Sequence, residues 1–180
     1  CDLLSEEIAK IKGKFRARLD VEIRFPVSFP SGWLPQENLR VTLYRKLLRV
    51  ETLAEAIALR EETVDRFGNR TAKQRAGLTA APRTGLPREV DFLFCVAAIR
   101  GAAAEALPMA NGQALGFTKL IVSDSETLVT TEHDAAWNEL RFSSLWRRRS
   151  DGIAGPGGFN GVRELASLIK NYRASLRSKQ

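Results

Sequence analysis

The stretch from Val21 to Gly68 constrains the fold more than any other part of the chain, because a strand pattern and two helix patterns follow one another there. Apolar and charged residues alternate over positions 19–25, which predicts a strand with one buried face. Leucines and a tyrosine then recur every three or four residues, which predicts a first helix from Gln36 to Arg49. The chain must therefore combine sheet and helix.

The two helices of this stretch have separate start and stop signals. Thr52 and Glu55 have the spacing of a capping box, so a second helix is expected to begin at Leu53. Gly68 suits the residue after a helix end, because it tolerates the left-handed conformation used there. Prolines before the first helix fix an irregular connection, in which Phe29 and Trp33 are expected to lie on the core.

The second helix has one apolar and one charged side. At about 100° per residue, Glu62, Asp65 and Arg66 lie away from the apolar side. The apolar side is formed by Leu53, Ala56, Ile57, Val64 and Phe67. Two interpretations of the charged side stay open: a solvated surface with a Glu62 to Arg66 pair, or a docking face for a partner.

The motifs of this stretch recur in one bacterial family. The residues that carry them are Val21, Glu22, Ile23 and Pro26, then Leu34, Pro35, Asn38, Arg40, Tyr44 and Leu47, then Leu59, Arg60, Glu62, Asp65, Arg66, Phe67 and Gly68. In this order they resemble the C-terminal domain of the bacterial transcription-repair coupling factors (Mfd). The family patterns are VEI..P, IP..N.R...Y..L and EL..LR.E..DRFG. Leu86, Pro87, Glu89 and Val90 resume the resemblance after Gly68.

The resemblance implies a regulatory role without catalysis. The family is an ATP-driven DNA translocase that displaces stalled RNA polymerase and recruits excision repair. Its C-terminal domain docks on the N-terminal UvrB-like module of the same chain, masks the surface that recruits UvrA, and restrains the motor. The positions matching the docking residues are Glu62, Asp65 and Arg66. The isolated domain is expected to be a monomer.

Length and composition fit one regulatory domain. The 180 residues with 44% hydrophobic content suffice for one globular core. Residues 1–18 are expected to be the end of a linker helix from the preceding motor module, and residues 19–180 the regulatory domain. Cys1 is not an initiator methionine, so we expect a piece of a longer polypeptide. No apolar run approaches about 18 residues and no signal peptide is present, which favours a cytoplasmic protein without membrane contact.

Residues 69–85 form a basic segment without acidic residues. The resembling family passes from DRFG to the next helix in a few residues, so this segment is expected to be a loop insertion. A solvated surface loop and a nucleic-acid contact are both compatible with its composition.

The second half of the chain predicts further helices and a hairpin. Pro87 opens an Ala-rich helix, expected to be the most buried one. The β-branched runs 118–123 and 127–131 predict a hairpin. Asp134 is the predicted N-cap of a helix that holds Trp137, Leu140 and Leu145, and a final helix runs from Val162 to about Ser178. The predicted fold is α+β, a single domain with a small, mostly antiparallel sheet covered by helices.

Catalytic and cofactor motifs are not found in the sequence. His133 is the only histidine, and Cys95 lies in an apolar run as a small buried hydrophobe. The glycine-rich run 152–161 has no Lys followed by Ser or Thr, so it is not a Walker A loop; a flexible turn and N-cap is the better interpretation. We therefore expect no enzyme activity, no cofactor and no metal site.

Trp146, Arg147, Arg148 and Arg149 form the densest basic cluster of the chain. An aromatic ring beside arginines can stack on bases and bind phosphates, but a strand edge or helix end has the same composition. With the net charge of +7, this cluster supports an alternative function, a basic module that binds nucleic acid.

Overall fold

The computed structural model describes residues 19–68, 85–105, 107–133 and 136–178. Its elements are β1 (Asp20–Ile23), α1 (Glu37–Arg49), α2 (Leu53–Thr63), a π-helical turn (Val64–Gly68), α3 (Arg88–Ala104), β2 (Phe117–Val122), β3 (Glu126–Thr131), α4 (Ala136–Leu140), β4 (Arg147–Arg149), β5 (Gly152–Pro156) and α5 (Gly158–Arg177). The linker expected at residues 1–18 and nearly all of the loop expected at 69–85 lie outside the described residues.

The strands form one sheet in the order β1-β2-β3-β5-β4. β1 pairs parallel with β2, and the other neighbours are antiparallel. The sheet contacts α5 through β3 and β5, α5 packs against α3, and α3 against α2. This arrangement confirms an α+β fold with a mostly antiparallel sheet covered by helices.

The first strand is shorter than the sequence predicts. It spans Asp20–Ile23 instead of positions 19–25. The ring of Phe25 packs on Phe92 and Phe159, at centroid distances of 5.5 and 5.7 Å, so this residue joins the core beyond the strand. Pro26 follows it and has no N–H to donate to a continued ladder.

The predicted hairpin is confirmed as β2 and β3, but the glycine-rich run differs from its predicted form. Residues 152–156 form β5, which lies between β3 and β4. Position 155 inside this strand requires glycine, because a Cβ built there would lie 2.3 Å from the ring of Trp146. The turn predicted for this run is wrong over β5, and α5 begins at Gly158, earlier than the predicted Val162.

The helix predicted after Asp134 is also shorter than expected. α4 ends at Leu140, because Arg141 takes a left-handed conformation with φ 49°. Leu145, predicted to belong to this helix, lies outside it with 66% of its surface exposed. The predicted N-cap, Asp134, lies outside the described residues.

The other helices agree closely with the sequence pattern. α1 spans Glu37–Arg49, and the capping box of Thr52 and Glu55 at the start of α2 is present. Phe29 and Trp33 are buried as predicted, and most residues of α3 are buried. Cys95 lies in this core, where burial raises the pKa of its thiol to about 11.

Candidate docking site

The three candidate docking residues lie where α2 passes into the π-helical turn. Glu62 is in the last turn of α2, and Asp65 and Arg66 belong to Val64–Gly68. Asp65 and Arg66 are exposed and Glu62 is partly exposed, while Phe67 on the same turn is half-buried. The structure therefore leaves this charged side outside the core.

Glu62 connects two helices through ion pairs. Its Oε1 accepts a hydrogen bond from Lys46 Nζ of α1 at 2.9 Å and another from Arg66 at 2.9 Å. The Lys46 hydrogen bond, with smaller contributions from Arg66, holds the pKa of Glu62 below its ordinary value of 4.5. Lys46 therefore belongs to the same charged group as Glu62 and Arg66. The periodicity of α2 could not predict this, because Lys46 lies on α1.

The π-helical turn was not predicted, since the sequence pattern indicates a regular helix up to Gly68. Its inner side is packed: the Phe67 ring meets Trp33 edge-on at a centroid distance of 6.0 Å. A Cβ on Gly68 would come within 3.3 Å of Val64 Cγ1, which favours glycine at this point. π turns are rare and frequently occur at functional sites.

A buried group of ion pairs holds α2 against α3 on its inner side. Asp91 of α3 is almost fully buried, and its Oδ1 accepts hydrogen bonds from Arg60 Nε at 3.0 Å and Arg60 Nη2 at 2.8 Å. Its Oδ2 lies 3.3 Å from Arg163 Nε of α5. This Asp91 cluster links three helices and was missed in the sequence analysis. The sequence did contain a sign of this buried cluster, since Asp91 is an acidic residue in the first turn of the most apolar helix.

The junction between α1 and α2 is fixed by two charged residues of the α3 region. Arg100 Nη2 donates to the carbonyls of Leu47 at 2.6 Å and Leu48 at 3.1 Å, which lie at the end of α1. Burial lowers the pKa of Arg100. Glu105 Oε1 accepts from the backbone N–H of Leu53 at 2.8 Å, at the start of α2. Hydrogen bonds from the α3 region thus hold both the end of α1 and the start of α2.

The basic cluster occupies the edge strand β4 and the residue before it. Arg147, Arg148 and Arg149 are exposed, and Arg149 pairs with Glu126 at 2.9 Å and Asp151 at 3.1 Å. Trp146 is only 3% exposed and packs against Phe142, so its ring is not available to stack on a base. An open groove of about 580 Å³ lies beside the strand and is lined by Leu145 and the three arginines, among others.

Within the described ranges, no cluster of His, Cys, Asp and Glu has the arrangement of a metal site. His133 lies two residues after the end of β3, where its carbonyl accepts a hydrogen bond from Thr131 Oγ1 at 3.0 Å. None of the helices in the described ranges is long and apolar enough to cross a membrane.

Comparison with protein families places the docking candidates inside a matched segment. Residues 23–78 match the model of the TRCF domain, and this segment includes Glu62, Asp65 and Arg66. The resemblance to transcription-repair coupling factors is confirmed. It covers the strand end, both helices of the Val21 to Gly68 stretch and the π-helical turn.

Two curated relatives carry the same name. The transcription-repair-coupling factor of Haemophilus influenzae is 37% identical over 49 residues, which is 27% of this chain and 4% of the relative. That of Bacillus subtilis is 27% identical over 104 residues, 54% of this chain and 7% of the relative. The aligned regions are thus a small part of the relatives' length.

A solved structure described as the C-terminal domain of transcription-repair coupling factor is also similar. It covers 89% of this chain and 98% of its own, with 11% sequence identity and a TM-score of 0.49.

Proposed function

We propose that the chain is a non-catalytic C-terminal regulatory domain of a transcription-repair coupling factor. It docks on the N-terminal UvrB-like module of the same protein, masks the surface that recruits UvrA, and restrains the motor. The regulatory domain occupies residues 19–180, and residues 1–18 link it to the preceding motor module. RNA polymerase and DNA are partners of the whole protein, which works in the cytoplasm.

The observation that carries this proposal is an exposed charged turn within a family-matched segment. Residues 23–78 match the TRCF domain, and Asp65 and Arg66 are exposed on the π-helical turn of that segment. Phe67 and the Asp91 cluster hold the turn and α2 from the inside. The outward charges are therefore dispensable for the core and available to a partner.

Loss of docking is expected when these charges are truncated in the full-length protein. Removing one partner of a desolvated charge pair across an interface costs about 2 to 5 kcal/mol. Glu62→Ala and Arg66→Ala are therefore expected to increase UvrA binding and to raise ATPase and translocation rates. Both are measured on purified full-length protein, by UvrA pull-down and by phosphate release with and without DNA.

The matched control is Glu126→Ala. Glu62 and Glu126 side chains have the same exposure, 42%, and each pairs with an arginine at 2.9 Å. The exposed pairs of Glu62 are worth less than about 1 kcal/mol, so each single variant of the 180-residue chain should melt within a few degrees of the parent. Unchanged UvrA binding and ATPase rates in Glu62→Ala, in Arg66→Ala and in the double variant of these two would refute the proposal. A variant that unfolds would show that the charged side belongs to the core.

A further inference from the structure

The strand β4 forms an edge of the sheet with one open side. It pairs with β5, and within the described ranges no strand pairs with its other side. Its three residues, Arg147, Arg148 and Arg149, are all exposed. An edge strand presents backbone N–H and C=O groups that a further strand can bind. A strand from another molecule can therefore extend the sheet at β4.

The groove of about 580 Å³ beside β4 has an apolar and a polar part. Leu145, Ala154 and Pro156 provide the apolar part, and the three arginines with Glu126 provide the polar part. Leu145 is 66% exposed, so its side chain is accessible from the groove. Charged residues on an edge strand can also serve to prevent association between sheets, but that effect requires no groove.

The charge of this groove favours an acidic occupant. Its lining contains three arginines and one glutamate. Arg149 is already paired with Glu126 at 2.9 Å and with Asp151 at 3.1 Å. Arg147 forms no ion pair with a described residue. The Arg147 guanidinium is thus available to a carboxylate from a partner, with which it can form charge-assisted hydrogen bonds.

Two other occupants fit this edge less well. Pairing of two β4 strands from two copies of the chain would place arginines opposite arginines, and like charges directly opposite one another destabilise a sheet. A nucleic acid would gain no stacking from Trp146, which is only 3% exposed. Its sugar-phosphate backbone also has no amide groups that could continue the ladder of β4.

We propose that β4 binds an extended acidic segment of a partner protein, which adds a sixth strand to the sheet. The segment places a carboxylate opposite Arg147 and an apolar side chain against Leu145, since both residues line the groove. Antiparallel pairing, as between β4 and β5, requires the order acidic residue, any residue, apolar residue. This inference goes beyond the proposed function and does not depend on docking at the π-helical turn.

The first test is an NMR titration of the isotope-labelled 180-residue chain with a synthetic peptide, Thr-Thr-Glu-Thr-Leu-Thr-Thr. Binding is expected to be weak, because β4 has only three residues, and NMR measures weak binding and its location together. We expect the backbone amide signals of β4 to shift and those of α1 and α2 to stay. The same peptide with Gln in place of Glu is the control, and it should bind about fivefold more weakly. Equal Kd values for the two peptides, or shifts outside β4 and its groove, overturn the proposal.

The second test uses variants of the chain. Arg147→Glu and Leu145→Ala are each expected to weaken binding of the Glu peptide by about fivefold or more. A peptide with Lys in place of Glu should bind Arg147→Glu better than it binds the parent chain. Arg45→Ala and Leu48→Ala are matched controls on α1, since Arg45 is also exposed and Leu48 has a similar exposure, 72%. Equal weakening by the control variants contradicts binding at β4.

The third test concerns the backbone pairing. Alternate residues of a strand direct their N–H groups to opposite sides. N-methylation of one alternate set of peptide residues is therefore expected to abolish binding, and N-methylation of the other set should leave most of it. Equal effects of the two sets would show that the peptide does not bind as a strand.

The remaining outcomes assign the edge to something else. Absence of peptide binding, with binding to duplex DNA that Arg147→Glu abolishes, assigns it to nucleic acid. Self-association in sedimentation runs that Arg147→Glu abolishes assigns it to a second copy, and absence of all binding leaves the arginines as protection of a sheet edge. Each of these results overturns the inference. The NMR spectrum of each variant reports its folding, and Arg147→Gln replaces Arg147→Glu if the latter unfolds.

Discussion

Asp91 is the buried carboxylate that ties α2 and α5 to α3. Its carboxylate, 6% exposed, pairs with Arg60 at 2.8 Å and Arg163 at 3.3 Å, from the helices on either side of α3. Arg60 belongs to the same family motif as Glu62 and Arg66 but points inward. A single motif thus contains both Arg60, which binds the buried Asp91, and the charged residues on the exposed side of α2.

Replacement of Asp91 is expected to destabilise the chain strongly. Asp91→Ala leaves the largely buried Arg60 guanidinium without its partner, which costs about 3 to 5 kcal/mol of unfolding free energy. Arg163→Ala should cost under about 1 kcal/mol, because the Arg163 side chain is 49% exposed. Urea unfolding followed by circular dichroism measures both. Equal losses for the two variants would show that the buried pair of Asp91 with Arg60 adds nothing to the contribution of the exposed Arg163 contact.

Residue roles were predictable from the sequence where they depend on local periodicity. The outward positions of Asp65 and Arg66 and the buried positions of Phe29 and Trp33 follow from spacing along one segment. The pairing of Asp91 with Arg60 and Arg163 joins residues far apart in the chain, which no local pattern reports. Burial of Trp146 depends on Gly155 of the neighbouring strand in the same way.

At the scale of the elements, the capping box determines where α2 begins in the sequence, and its contact with α3 determines where its first turn lies in the fold. Gly101 of α3 lies directly against the first residues of α2, and a Cβ built on it would lie 2.4 Å from the carbonyl carbon of Thr52. Two helices can approach this closely only where one has no side chain.

Gly101→Ala is therefore expected to destabilise the protein, although alanine ordinarily stabilises a helix interior relative to glycine. The contact is with backbone, which cannot rotate away, so overpacking should cost about 2 kcal/mol or more and lower Tm by about 4 to 8 °C. Gly32→Ala is the control, since a Cβ there would meet no atom within 4 Å. Differential scanning calorimetry compares the two. A Tm for Gly101→Ala at or above that of the parent would contradict this packing.

Elements with strong local signals were predicted well, and those defined by tertiary contacts were not. α1, the start of α2 and the β2–β3 hairpin match their predicted positions within one or two residues. β5 was missed because its glycines favour turns in isolation, and they become a strand only when Trp146 packs on Gly155 and β3 pairs alongside. The π-helical turn likewise has no periodicity that distinguishes it from an α-helical end.

At the scale of the whole molecule, the positive charge lies mostly outside the described fold. The chain carries 28 Lys and Arg against 21 Asp and Glu, a net charge of +7. The described residues include 18 of the former and 17 of the latter, a net charge of +1. Arg70, Lys73, Arg75 and Arg83 of the 69–85 segment contribute four of the remaining charges. The part of the chain that the structure describes is thus nearly neutral, which weakens the alternative of a basic nucleic-acid module.

This charge distribution predicts weak duplex DNA binding that depends little on the β4 cluster. Arg149 is already neutralised by Glu126 and Asp151, and Trp146 is buried, so Arg147→Ala, Arg148→Ala and Arg149→Ala together should reduce affinity only slightly. Replacing Arg70, Lys73, Arg75 and Arg83 by Ala should lower the dependence of affinity on salt more, because each lost phosphate contact reduces that slope by about one unit. Fluorescence anisotropy with a labelled duplex over a salt series measures both. Micromolar or tighter binding near physiological salt that disappears with the β4 triple variant would favour the nucleic-acid function instead.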